Sequence, residues 1–135
     1  MTLVDPDRLD RLPLFADLSA ADRAEVAASV REVVVDPGAP LATQGDNAYE
    51  LFVIESGEAE VRKDGELIRK LSAGDVFGEI GLLATGTHTA SVVATSPLRA
   101  VGLFSREFRQ LEGRMPALAR SLRETMAERV ARTSF

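Results

Sequence analysis

Apolar positions recur at helical spacing through residues 3–30. Leu9, Leu12, Leu14 and Phe15 precede "LSAADRAEVAASV", where Ala20, Arg23, Ala24, Val26, Ala27 and Val30 follow a helical pattern with one apolar side and Ser19 is placed to cap it. The period then shortens. "REVVVD" is β-branched and stops at Pro37-Gly38, "ELFVIES" stops at Gly57, and "EAEVRK" alternates apolar with charged residues as a half-exposed strand does. Asp64-Gly65 predicts a two-residue hairpin into "ELIRKLS", and Ala73-Gly74-Asp75 predicts another turn. "TASVVATS" and "LRAVGLFS" are two further strands, split at Ser96-Pro97. Beyond them the helical period returns. Ser105 is expected to cap a short helix over "REFRQLE", Gly113 to end it, and Pro116 to open a last helix on which Leu118, Leu122, Met126 and Val130 recur every four residues. That stripe fits packing on the domain's own sheet and a dimer seam equally well.

The expected architecture is mainly β with flanking helices: an eight-stranded β-roll or jelly roll with N-terminal helices and two C-terminal helices. It divides a single domain, 1–135, into a helical segment (3–30), the roll (31–104) and C-terminal helices (105–132).

Composition narrows the function. The 135 residues carry a formal net charge of −5, and no basic stripe offsets that surplus, which argues against non-specific nucleic-acid binding. Cysteine is absent, which excludes disulfide and thiolate chemistry and favours an intracellular, cytoplasmic location. No apolar stretch has the length of a membrane span, and no signal peptide is evident. Histidine occurs once, so a histidine metal cluster is not available, and no nucleophile motif accompanies it. The chain therefore reads as a binding domain rather than an enzyme, with no metal or cofactor expected.

The segment that invites a ligand is "FGEIGLLATGTHTASV", residues 77–92. Its glycines permit tight turning and close backbone approach, and a short helical turn is expected from Gly78 to Leu83. The first amides of such a turn are unpaired and favour an anion such as phosphate. A carboxylate at Glu79 suits a ligand that also carries a hydroxyl donor, such as a sugar.

These residues carry a family resemblance. "FGEIGLL" resembles the phosphate-binding cassette of cyclic nucleotide-binding domains, the module of protein kinase A regulatory subunits and of the catabolite activator protein family. "QGDNAYELFVIESGEAEV", Gln44 to Val61, resembles the family's other signature through Gly45, Asp46, Ala48, the run Leu51–Ile54 and Gly57. The resemblance covers nearly the whole chain. It implies that Glu79 takes the ribose 2′-hydroxyl and that the amides of Gly78, Ile80 and neighbours such as Gly81 meet the cyclic phosphate or ribose. Thr89, Ala90 and Ser91 would lie along the strand after the phosphate. Val76, Phe77 and Val92 would line the purine pocket or serve as plain core. The last helix, 116–132, would be a lid or a dimer element.

One position departs from the pattern. Where the family's cassette ends in an arginine that forks onto the phosphate, this chain has His88, followed by Thr89-Ala90. A guanidinium is permanently charged and bidentate; an imidazole is neither. Losing a charge-assisted hydrogen bond costs about 1.5–3 kcal/mol, roughly ten- to a hundredfold in affinity. Ala42, where the family usually has a bulkier aliphatic, reads as packing variation.

Two functions follow. The first is a sensor or regulatory module that binds a cyclic nucleotide, cAMP by default. The alternative is a degenerate member that no longer binds one and serves as a protein-interaction or dimerisation module. No DNA-binding segment follows the last helix in this sequence. A homodimer or an effector domain is expected to use the C-terminal helix.

Overall fold

Two four-stranded antiparallel sheets, in the orders β1-β8-β3-β6 and β2-β7-β4-β5, enclose the inner core. The strands are β1 (Arg31–Val35), β2 (Pro40–Ala42), β3 (Glu50–Ser56), β4 (Ala59–Lys63), β5 (Glu66–Leu71), β6 (Val76–Phe77), β7 (Ser91–Ala94) and β8 (Leu98–Phe104). Helices α1 (Pro6–Leu9) and α2 (Ala20–Ser29) precede them, and α3 (Ser105–Arg114) and α4 (Pro116–Arg132) follow. This is the expected β-roll with helices at both ends. The computed structural model describes residues 4–78 and 86–132, the last four as backbone alone.

The first sheet is covered on both faces, which explains why "ELFVIES" reads as an apolar run rather than an alternation. Along β3, Phe52 and Ile54 point into the roll, where every strand contributes to one cluster. Leu51 and Val53 point the other way, into a second cluster shared with Leu9, Phe15, Val26, Phe108, Leu111 and α4. Successive side chains of a strand face opposite sides, so one strand serves two cores. The second sheet has a wet face: β4 alternates buried and half-buried positions, and most of β5 is exposed.

Local chemistry sets the turns. Asp64 (φ 53°) and Gly65 (φ 83°) both adopt the left-handed conformation that a tight hairpin between β4 and β5 requires. Ser19 caps α2 as expected, its hydroxyl accepting from the Asp22 amide at 3.1 Å.

The expected helix over 3–30 is interrupted, and residue 3 lies outside the described residues. Residues 10–19 form successive tight turns, with amide–carbonyl bonds from Leu12 to Leu9 and from Phe15 to Leu12. Pro13 is the physical reason, since it has no amide to donate and disfavours helix in the residue before it. Leu12, Leu14 and Phe15 are nonetheless buried, anchored by the turns themselves.

At the other end Ser105 is the first helical residue and not the cap. Phe104 holds the cap position with no side-chain bond, and the Ser105 amide donates to the Tyr49 carbonyl at 2.7 Å. A Ser, Thr, Asn or Asp cap contributes about 1 kcal/mol that this helix forgoes. Nor does Gly113 end α3, which continues to Arg114 before Pro116 starts α4. Of the stripe on α4, Leu118, Leu122 and Met126 are buried in the domain's own core beside Phe108 and Leu111. Val130 lies outside the residues whose side chains are described.

Candidate functional site

The glycine-rich loop leaves the first sheet at β6, a two-residue strand paired to the middle of β3. The Phe77 ring stacks on Phe52 with centroids 4.8 Å apart and planes 17° apart, fixing where the loop begins. Gly78 follows with φ 88°, and a Cβ there would sit 2.6 Å from the Glu50 carbonyl oxygen. Only glycine meets both conditions: left-handed backbone and contact with a neighbouring main chain. Glu79, Ile80 and Gly81, and all of the helical turn expected over 78–83 after Gly78, lie outside the described residues.

The far end of the loop is clamped by the segment before β3. The Gly45 amide donates to the His88 carbonyl at 3.0 Å, the His88 amide to the Asp46 carbonyl at 2.9 Å, and the Ala48 amide to the Gly86 carbonyl at 2.7 Å. Asn47 and Thr87 form a β-bridge between these bonds. The chain's single histidine is thus held on both sides by its own backbone. Its imidazole is half-buried, and burial lowers its pKa below the usual 6.5, with the Asp46 charge opposing that shift.

The residues after His88 divide between surface and core. Thr89 is half-buried, and Ala90 is buried with Phe77 and Val92 inside the roll. Ser91 opens β7, and its hydroxyl accepts the Gln44 amide at 2.8 Å. Gln44 also exchanges two 2.9 Å bonds with Asp64, tying this end of the site to the β4–β5 hairpin. Val76 faces the helix-side cluster, away from Phe77. The structure therefore brings Phe77, Ala90 and Val92 together and sends Val76 to the opposite face.

Two features were missed from the sequence. The backbone clamp by Gly45 and Asp46 was one, although both residues stood in the quoted signature. The other is Glu50, which is 8% exposed and receives Nε and Nη2 of Arg31 at 2.7 and 2.8 Å. Its carboxylate occupies the space where a side chain at Gly102 would stand, and its carbonyl abuts Gly78. The available signal was a charged residue heading an otherwise apolar run.

The comparison with known proteins rests on this frame. The profile of the cyclic nucleotide-binding domain matches residues 32–114. The chain belongs to that family. A cAMP-dependent protein kinase regulatory subunit from Mycosarcoma maydis is 37% identical over 127 residues, covering 87% of this chain and 24% of that protein. A cyclic nucleotide-binding domain from Methylobacillus flagellatus superposes with a TM-score of 0.83 at 24% identity, covering 93% of this chain and 74% of the other. The N-terminal domain of a Streptomyces coelicolor transcriptional regulator gives 0.78 at 28% identity, with 95% of each chain covered. The chain spans about a quarter of the length of the curated kinase regulatory subunits it matches. Among the described residues no helix is long and apolar enough to cross a membrane, and no group of three His, Cys, Asp or Glu side chains is arranged to hold a metal.

Proposed function

We propose that this family member is a regulatory module that binds a cyclic nucleotide, cAMP first among them, with His88 standing in for the phosphate-binding arginine. The observation that carries the reading is the clamp: the Gly45 amide donates to the His88 carbonyl and the His88 amide to the Asp46 carbonyl, which fixes His88 at the end of the loop. Those bonds set the direction in which the imidazole leaves the loop, which is what a ligand at this position requires of it. The kinship with a cAMP-dependent kinase regulatory subunit supports cAMP as the ligand. In this reading Gly78, Ile80 and Gly81 present amides to the phosphate and ribose, Glu79 accepts from the ribose 2′-hydroxyl, and Thr89, Ala90 and Ser91 lead from the phosphate into β7. Phe77 and Val92 back the base. The module is cytoplasmic, catalyses no reaction and needs no metal or cofactor. A homodimer or effector that contacts α4 meets its outer face, at Arg120, Glu124 and Glu128, since the apolar stripe is already occupied by the core.

The alternative, an interaction module that has lost its nucleotide, is favoured by one observation. Burial keeps the His88 imidazole neutral at physiological pH, so it offers no permanent cation. Thermal melting against cAMP, cGMP and the corresponding linear monophosphates separates the two readings, because a ligand at 100 times its Kd adds about 2.7 kcal/mol. A shift with a cyclic nucleotide that shrinks in Glu79→Gln and vanishes in Glu79→Ala is expected. No shift with any nucleotide selects the alternative.

A further inference from the structure

At the junction of β3, β8 and α3 lies an open cavity of about 230 Å³ lined by Tyr49, Phe104, Ser105, Arg106 and Arg109. Two of the exposed large apolar side chains among the described residues border it: Tyr49 at 61% and Phe104 at 36% exposure. Neither is placed by chance. The Tyr49 hydroxyl accepts the Asn47 side-chain amide at 2.9 Å, and the Phe104 ring carries the Arg31 guanidinium 5.1 Å from its centroid. Phe104 also holds the helix-cap position, where its side chain makes no cap bond.

The charges around the cavity identify what fits it. Arg31 is satisfied by Glu50 through a bidentate pair. Arg106 reaches only the neighbouring Glu107, at 3.8 Å, and Arg109 is exposed with no hydrogen-bond or ion-pair partner among the described residues. Two under-used guanidiniums beside two aromatic rings, on a chain of net charge −5, form a local basic and aromatic patch on an acidic surface. Tyrosine and arginine are enriched among the hot spots of protein interfaces, and a guanidinium fork matches a carboxylate. We infer that this cavity docks a peptide segment of a partner protein in which an acidic residue stands next to an aromatic or aliphatic one. The acid pairs with Arg109 and Arg106, and the apolar neighbour packs between Tyr49 and Phe104. A nucleic acid also stacks on aromatics and pairs with arginine, but the surrounding negative charge repels a polyanion over any greater length.

The test is selection of a random-peptide display library on the full chain, followed by fluorescence anisotropy with the enriched peptides. Enrichment of sequences pairing Asp or Glu with Leu, Phe, Tyr or Trp is expected. Tyr49→Ser and Arg109→Glu should each weaken binding about tenfold or more, while Lys70→Glu on the exposed part of β5 leaves it near wild type. Tyr49 and Arg109 are exposed, so both variants should keep the wild-type circular dichroism spectrum; Arg109→Ala replaces Arg109→Glu if that variant does not. No enriched sequence, enrichment of basic peptides, or binding indifferent to Tyr49 and Arg109 overturns the inference. So does tighter binding of a labelled oligothymidylate through the same two residues.

Discussion

Gly78 and Gly86 bound the loop, and both adopt left-handed backbone, at φ 88° and 74°. Alanine at either position carries the strain of that conformation, about 1–2 kcal/mol. The two differ in space. A Cβ at Gly86 meets nothing within 4 Å, whereas at Gly78 it lies 2.6 Å from the Glu50 carbonyl oxygen and 3.4 Å from the Leu51 Cα. Both of those atoms are main chain in a strand paired on each side, so relief requires the sheet or the loop to move by most of an ångström. Overpacking of that kind costs about 1–3 kcal/mol. Gly78→Ala should therefore destabilise the domain by about 2–5 kcal/mol and Gly86→Ala by about 1–2 kcal/mol. Urea unfolding followed by circular dichroism measures both. With a slope of about 1.5 kcal/mol/M, the midpoint should fall by about 1–3 M for Gly78→Ala and by about 1 M for Gly86→Ala. Equal losses in the two variants would refute the claim that Gly78 is required by its contact with Glu50.

Two further outcomes follow from the core and from His88. Leu122→Ala on α4, where the side chain is 1% exposed within the helix-side core, should cost about 2–5 kcal/mol in the same assay, whereas Arg120→Ala should cost about 0.5 kcal/mol or less. The folded-state pKa of His88 is depressed, so its contribution to stability is present above the unfolded value of about 6.5 and is lost as pH falls through the folded value. Without ligand, wild type should lose stability relative to His88→Gln as pH drops from about 7.5 to 5, read from paired melting curves.

Much of the fold was legible because local signals and burial agreed. Asp64-Gly65 forced a hairpin, Ser19 capped a helix, and the four-residue repeat of Leu118, Leu122 and Met126 marked a buried helix face. The N-terminal segment misled because Leu12, Leu14 and Phe15 are spaced like a helix face but are buried from a series of turns, and Pro13 decides between the two. Ser105 misled because β8 runs straight into α3, so register placed Phe104 at the cap. Gly78 was legible as a turn residue, because glycine alone takes its left-handed backbone without strain. The main-chain contacts were hidden: the bonds that join His88 to Gly45 and Asp46 depend on a pairing across some forty positions of sequence. Glu50 was hidden for another reason, since its ion pair with Arg31 joins two strands that flank β8 on opposite sides.

The most direct test of the account is a calorimetric titration of cAMP into wild type and His88→Arg at pH 6 and pH 8. A bound phosphate raises the His88 pKa from its depressed free value, so wild-type affinity should grow as pH falls and level off only below that free value, itself under 6.5. At pH 7.5 fewer than about a tenth of free molecules carry the imidazolium. His88→Arg supplies the permanent fork, and should bind about ten- to a hundredfold more tightly at pH 8 with little change at pH 6 relative to itself. If neither protein binds cAMP at either pH, the cradle holds no cyclic phosphate, and the domain acts through its surfaces alone.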